Sequence, residues 1–401
     1  MFRFLTAGES HGPALTGILE GLPAGLPLTE EMINAQLARR QAGYGRGGRM
    51  KIEKDAARIL SGVRLGHTTG APVSLLVENR DWANWTGAMS AAPRDPADEA
   101  REAQLELRRI TKLRPGHADY AGALKYDHED IRDVLERASA RETTMRVALG
   151  AIARAFLAEF GLAITSHVTN IGGVRAPAYD GDIDLLHAAA EASEVRCADE
   201  AASLEMIAAI DQAKQDCTSL GGVIEVRTSP LPVGLGSFVH WDRRLDGRLA
   251  QAVLSIHAIK GVEFGLGFGV AERPGFEAHD TFEPGFGRPT NHAGGLEGGM
   301  TNGGGLILRA AMKPIATMPR PLPSVDLASG EAVKAHFERA DACAVPAAGV
   351  IAEAMVALVL AEAFLEKFGG DSMPEIRAHL EASLALQERR KAYAAPAPSE
   401  A

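Results

Sequence analysis

The sequence predicts an α/β (α+β) fold in a single domain. Two patterns lead there. Short apolar runs of strand length alternate with longer runs at helical spacing, and a strand–helix–strand order recurs in each half of the chain. In addition, no linker rich in Pro or Ser divides the 401 residues, although that length could hold two or three average domains.

Taken in order, Phe2–Thr6 reads as a short strand and Leu15–Glu20 as a second. The loop between them, GESHGP, carries Ser10 and His11. PLTEEMINAQLARR reads as a helix with Thr29 as N-cap, acidic residues in its first turn and Arg39 and Arg40 in its last. QAGYGRGGRMKIEKD is a basic loop. Ala71–Asn79 is a strand, and Ser90–Gln104 an exposed connection or weak helix. Around His117, Pro115 fixes φ and Gly116 permits a sharp turn, which puts the histidine on a loop. Ile131, Val134 and Leu135 fall at helical spacing. Ser139, with Glu142 three residues on, can cap a helix from about Arg141 to Phe160. The remaining expectations are a strand over Leu162–Gly172, a helix over Ala201–Asp216, a strand in GGVIEVRTSP, a helix over Arg243–Ala258 and a strand in VEFGLGF. Ala344–Leu365, broken by Glu353 and Glu362, reads as a buried helix rather than a membrane span. KAYAAPAPSEA reads as a disordered tail.

Composition narrows the partners. Hydrophobic residues make up 46% and charged residues 23% of the chain, as in ordinary soluble globular proteins. A net charge of -10 argues against a general nucleic-acid surface. Against that background Arg39–Ile52 holds Arg39, Arg40, Arg46, Arg49 and Lys51 and no acidic residue, which suits a small anionic ligand. The three cysteines, Cys197, Cys217 and Cys343, show neither disulfide nor metal spacing, so a reducing cytoplasm is expected. The N-terminal residues lack a signal-peptide core.

Three stretches carry chemistry. Arg114–Arg146 brings His117, Arg137 and Arg141 near free backbone N–H groups at a helix start, a combination that binds phosphate or carboxylate. Asn291–Thr317 places seven glycines between Gly294 and Gly305, a backbone cradle for a planar or phosphorylated ligand, with Lys313 at its edge. Glu338–Val345 sets Arg339 and Asp341 before the apolar helix, where an ion pair capping that helix is the plainer alternative. There is neither a dinucleotide fingerprint nor a Walker lysine. A non-catalytic anion-binding module or an unusual phosphotransferase would use the same arginines and glycines. Neither accounts for two loop histidines and Asp341 without a magnesium motif.

GESHG, RPGHAD, RASARET, GGLEGGMTNG and KPIAT together resemble the chorismate synthase family, from Met1 to about Gly370. The resemblance implies a catalytic domain over residues 1–370, with residues 371–401 forming a C-terminal helix and tail. It implies a sandwich with a helical core layer between antiparallel β-sheets, an internal β-α-β pseudo-repeat, and a homotetramer built as a dimer of dimers. It further implies a trans-1,4-elimination of phosphate from 5-enolpyruvylshikimate 3-phosphate, giving chorismate with no net redox change. Reduced FMN is the implied cofactor and NADPH a possible reductant, with no metal, nucleic acid or membrane partner. By resemblance, His11 is the general acid, His117 serves the flavin, and Asp341 with Ser139 relays a proton. Flavin contacts fall on Arg137, Ala138, Ser139, His257, Ala258, Gly298, Lys313, Pro314, Ile315, Ala316, Thr317 and Arg339. Arg40, Arg46, Arg49, Arg114 and Arg141 fall on substrate or NADPH. His257 stands where relatives commonly carry Asn, and CTSLGG departs from the usual acidic-Ser/Thr pattern at Cys217 and Thr218.

Overall fold

The computed structural model describes residues 1–47, 55–338 and 341–393. Arg49 and Arg339 lie outside the described residues, as do residues 394–401 of the expected disordered tail, while its first three residues, 391–393, continue a helix.

Among the described residues, two main sheets form, and every neighbouring pair of strands in them is antiparallel. The first uses β1 (Arg3–Ala7), β2 (Ala14–Glu20), β3 (Ala57–Ser61) and β4 (Val73–Glu78), in the order β1-β2-β4-β3. The second uses β5 (Ile164–Ile171), β6 (Val174–Arg175), β7 (Gly222–Pro230), β8 (Ile259–Phe264) and β9 (Gly305–Met312), in the order β8-β9-β7-β5-β6. The glycine-rich stretch is therefore not one continuous cradle. Its end, GLILRAAM, alternates buried and half-buried residues and pairs with strands on both sides. Small residues there mask a strand whose apolar period is carried by Leu306, Leu308 and Ala310.

The helices that position the site are α1 (Glu30–Gln41), α2 (Asp119–Tyr126), α3 (Thr143–Ala158), α4 (Val345–Phe368) and α5 (Met373–Tyr393). Thr29 caps α1, its side chain accepting from Met32 N–H. Ser139 accepts from Arg141 N–H and heads a 3₁₀ turn, Ala140–Glu142, that leads directly into α3. Glu142 does not reach back to close a capping box; it takes hydrogen bonds from Thr6 and Arg146.

Helix α3 packs on β2, α4 packs on β5 and β7, and α3 and α4 pack on each other. Two glycines permit this closeness. A Cβ at Gly17 on β2 would sit 2.5 Å from Met145 Cγ, and one at Gly150 on α3 would sit 2.4 Å from Ala354 Cβ on α4. One connected apolar core runs from Phe2 to Ile376 and so includes the first turn of α5. Helix α4 is apolar enough to cross a membrane by composition, but 89% of its most apolar window is buried inside the protein. It is hydrophobic all round because both of its flanks face protein.

Candidate active site

The N-terminal half of α4 floors a cavity of about 410 Å³ with Ala344, Ala347, Ala348 and Ile351, a volume within the usual range for small-ligand sites. Its walls come from loops far apart in sequence. Ser10 and His11 enter from the β1–β2 loop, where backbone turns leave both side chains buried. Gly116, at φ 81°, makes the turn that brings in His117 just before α2. Ala138, Ser139 and Arg141 enter from the turn before α3, and Arg40 from the last turn of α1. His257 and Ala258 come from the segment before β8; Lys313, Ile315, Ala316 and Thr317 follow β9. Arg46, Arg114 and Asp341 complete the ring.

Charge is held in place by buried carboxylates. Arg40 is 6% exposed and donates to Thr143 Oγ1 and the Ala140 carbonyl. Arg141 lies 3.3 Å from Asp55, a residue that also stands 3.8 Å from Arg40. Arg46 pairs with Asp341 at 3.0 Å, and the same carboxylate accepts from Gly47 N–H. Asp341 thus holds Arg46 and Gly47 at the start of the basic loop. Lys313 donates to the Gly116 carbonyl, and burial and nearby Lys260 lower its ammonium below the usual value.

Each loop histidine has a carboxylate behind it. His11 Nδ1 is 2.8 Å from Glu136 Oε1, and His11 N–H donates to Oε2 of the same group. His117 Nδ1 is 2.6 Å from Asp119 Oδ1. Glu136, Asp119, Asp55 and Trp85, which stacks on His11, were not singled out from sequence. RPGHAD does place Asp119 two residues after His117. Glu136, by contrast, is 125 residues from its histidine, and only the fold brings the two together.

Several expected residues do not reach the cavity. Arg137 turns away, its side chain 42% exposed, and donates to the Gly8 and Thr6 carbonyls. Gly298 sits in the turn of a short hairpin, Leu296–Glu297 with Met300–Thr301, and does not line the cavity. Pro314 is in the strand exit but not on the wall. Cys217 is exposed and Thr218 contacts Met318; neither lines the cavity.

The wall combines apolar faces, an unpartnered polar atom and backbone strain. Alanines and Ile315 give it apolar faces. His257 Nδ1 is buried without a hydrogen-bond partner, although a buried polar atom normally has one. Burial lowers the His257 imidazole below its ordinary value, with Glu142 opposing and Arg146 and His117 adding to the effect. Beside it Ala258 holds a left-handed φ of 66°, strain of a kind that concentrates at ligand sites.

The sequence profile of the chorismate synthase family matches residues 2–365. The chain belongs to the chorismate synthase family. A chorismate synthase of Geobacter sulfurreducens is 55% identical over 395 residues, covering 96% of this chain and 98% of that protein. One of Desulforamulus reducens is 56% identical over 385 residues, covering 95% and 97%. A solved structure described as a crystal structure of chorismate synthase superposes with a TM-score of 0.75 at 42% identity, covering 96% and 98%. Chorismate synthases are carbon–oxygen lyases of the shikimate pathway, and GESHG, RPGHAD, RASARET and KPIAT, though not GGLEGGMTNG, meet at this cavity.

Proposed function

We propose that this cavity converts 5-enolpyruvylshikimate 3-phosphate into chorismate and phosphate. The carrying observation is that His11 and His117 line one cavity whose rim holds Arg40, Arg46, Arg114, Arg141 and Lys313. A substrate with a phosphate and two carboxylates needs such a set of cations, and bidentate guanidinium groups also fix its orientation.

In a 1,4-elimination the C–O bond to phosphate breaks, a C–H bond at the far end of the allylic system breaks, and the double bond moves between them. When bound, reduced FMN supplies transient electron density and takes it back, which is why the reaction needs a flavin yet changes no net oxidation state. The protein's part is position and proton movement. His11 hands a proton to the departing phosphate oxygen, and His117 holds the flavin's polar edge. Asp341 lines the same cavity as Ser139, whose hydroxyl donates to Ser10 Oγ at 3.2 Å, and the two serve proton removal. His257, Ala258, Lys313 and Ile315–Thr317 would hold the flavin, with the unpartnered His257 Nδ1 as a hydrogen-bonding point.

Arg40 and Arg46 are read as substrate contacts because they share the cavity with His11. NADPH is then only a reductant for the flavin. NADPH oxidation by the protein with FMN and substrate, and no added reductase, tests that separately.

The same reading takes residues 1–370 as the catalytic unit, its helical layer between two sheets as a sandwich with a β-α-β pseudo-repeat, and the assembly as a cytoplasmic homotetramer. Exposed Phe238, Val239 and Trp241 form the kind of apolar surface an oligomer covers. Light-scattering mass tests it. The reaction is tested anaerobically. Protein with photoreduced FMN releases phosphate from the substrate without ATP, and folded protein that releases none ends the proposal.

A further inference from the structure

A series of ion pairs behind the cavity wall joins the two histidines. Starting from His11, Glu136 takes the imidazole at 2.8 Å and also takes Arg132 Nη1 at 2.8 Å. Arg132 Nη2 is 3.6 Å from Glu338 Oε1, and Glu338 Oε2 is 3.9 Å from Arg114 Nη1. Arg114 then donates to both oxygens of Asp119 at 2.8 Å, and Asp119 takes His117 at 2.6 Å. Asp119 and Glu136 are almost fully buried, at 0% and 2% exposed. Glu338 reaches the cavity itself, one of two carboxylates, with Asp341, on a wall rich in arginine.

We infer that Asp119, Glu136 and Glu338 are positioning residues: the first two keep the proton of His117 and His11 on Nδ1, so only Nε2 of each ring exchanges protons with a ligand, and Glu338 ties the two pairs together. The inference rests on the histidine roles proposed above.

The chemistry of the partners supports it. Burial raises Asp119, but hydrogen bonds from Arg114 and His117 outweigh it and leave the carboxyl well below its usual value. Burial likewise raises Glu136, and the hydrogen bonds and charge of His11, helped by the charge of Arg132, outweigh it and leave the carboxyl lowered. An ionised carboxylate can only accept, so the nitrogen facing it carries the hydrogen. Arg114 Nη2 also comes within 3.0 Å of His117 Nδ1. A guanidinium only donates, so Nδ1 can serve only one of its two neighbours: the shorter contact, 2.6 Å to the ionised Asp119 against 3.0 Å to Arg114, assigns its hydrogen to the carboxylate. Glu338 stands at ion-pair distance from its arginines rather than hydrogen-bonding distance. It neutralises and restrains two guanidinium groups that would otherwise be drawn to a bound anion and would pull Asp119 and Glu136 with them.

The test uses ¹⁵N-histidine protein without substrate, raised in pH until the ring nitrogen shifts stop changing. Long-range ¹H–¹⁵N correlations report the tautomer, with His11 and His117 assigned through single His→Gln variants. Both rings are expected with hydrogen on Nδ1; hydrogen on Nε2 of either ring overturns the assignment. Asp119→Asn and Glu136→Gln are expected to invert their own ring's tautomer and lower kcat by about 10²–10⁴-fold, with KM moved far less, while Asp119→Glu restores part of the loss. An inverted tautomer with unchanged kcat overturns the catalytic side of the inference. Glu338→Gln is expected to move the ring signals of both histidines and lower kcat about tenfold; movement of one ring or of none overturns the tie. Nδ1 protonation in a wild type that turns over no substrate upholds the tautomer assignment and sinks the reaction instead.

Discussion

The His11 imidazole lies flat against the Trp85 indole, with ring centroids 3.8 Å apart and 22° between the planes. Trp85 is 6% exposed and its Nε1–H donates to Asp81 at 2.9 Å, so the indole is itself fixed. The guanidinium groups of Arg108 and Arg132 lie 4.1 and 5.1 Å from the same ring. One aromatic plate therefore packs against a loop histidine and the cation that holds its carboxylate.

Replacing that plate should weaken catalysis in proportion to the stacking lost. Trp85→Phe keeps a smaller plate and should lower kcat only a few-fold, whereas Trp85→Leu should lower it about tenfold or more, the 0.5–1.5 kcal/mol of a stacked pair plus lost orientation. Steady-state kinetics on variants matched for circular dichroism check this. Equal kcat in the two variants would remove stacking from the explanation.

His117→Ala should lower turnover by about 10²–10⁴-fold if the ring serves proton transfer or holds the flavin edge. Flavin titration under reducing conditions separates those two uses. A variant with wild-type kcat removes His117 from the mechanism.

Glu353 on α4 is fully buried and accepts from Arg39, Arg154 and Arg196 as well as the Ser166 hydroxyl. Burial raises its carboxyl, but the arginines outweigh it and hold it at about 2, against an ordinary 4.5. Glu225 and Glu338 are likewise lowered to about 2. A depressed carboxyl stabilises the fold fully above its unfolded value and loses that contribution as pH falls through its folded value. Urea denaturation should therefore show stability falling between about pH 4.5 and pH 2, less steeply in Glu353→Gln. Glu353→Ala removes the buried carboxylate that three arginines share, leaving Arg39 and Arg196 only the Glu191 carboxylate among the described residues, and should cost about 3–5 kcal/mol. A cost under about 1 kcal/mol, the value of an exposed pair, would mean the arginines find water instead.

Gly150→Ala tests how tightly α3 and α4 are pressed together. The new Cβ would meet Ala354 Cβ at 2.4 Å, its Cα at 2.7 Å and its carbonyl oxygen at 2.8 Å. Backbone cannot step aside cheaply, so overpacking of about 1–3 kcal/mol should exceed the ~1 kcal/mol that Ala gains over Gly in a helix. A calorimetric melting temperature below wild type is expected; a higher one would show that the helices part freely.

Local chemistry was the legible part of the sequence. Thr29 announces α1, because a cap and the N–H it accepts from are three residues apart. His11 and His117 announce loops, because Gly and Pro beside them act on φ directly. The same reasoning lost β9 among glycines and took Asn291–Thr317 as one cradle. Glu136, Asp55 and Trp85 were invisible for a different reason: each acts on a partner that only tertiary packing supplies. Arg137 shows the converse limit. It sits in the right motif, yet it is spent on the carbonyls of β1 and the loop after it. The chemical type of a residue says what it can bind; the fold decides which way it faces.

Because α4 supplies the cavity's floor, a chain emerging from the ribosome carries both histidines long before it has anywhere to bind. The first wall residue is Ser10 and the last is Ile351, so the site closes only after nearly the whole polypeptide is available. Contacts that distant form late and slowly. Catalytic competence is thus tied to completion: a fragment ending before Ala344 would keep every arginine and histidine named above and still enclose no ligand.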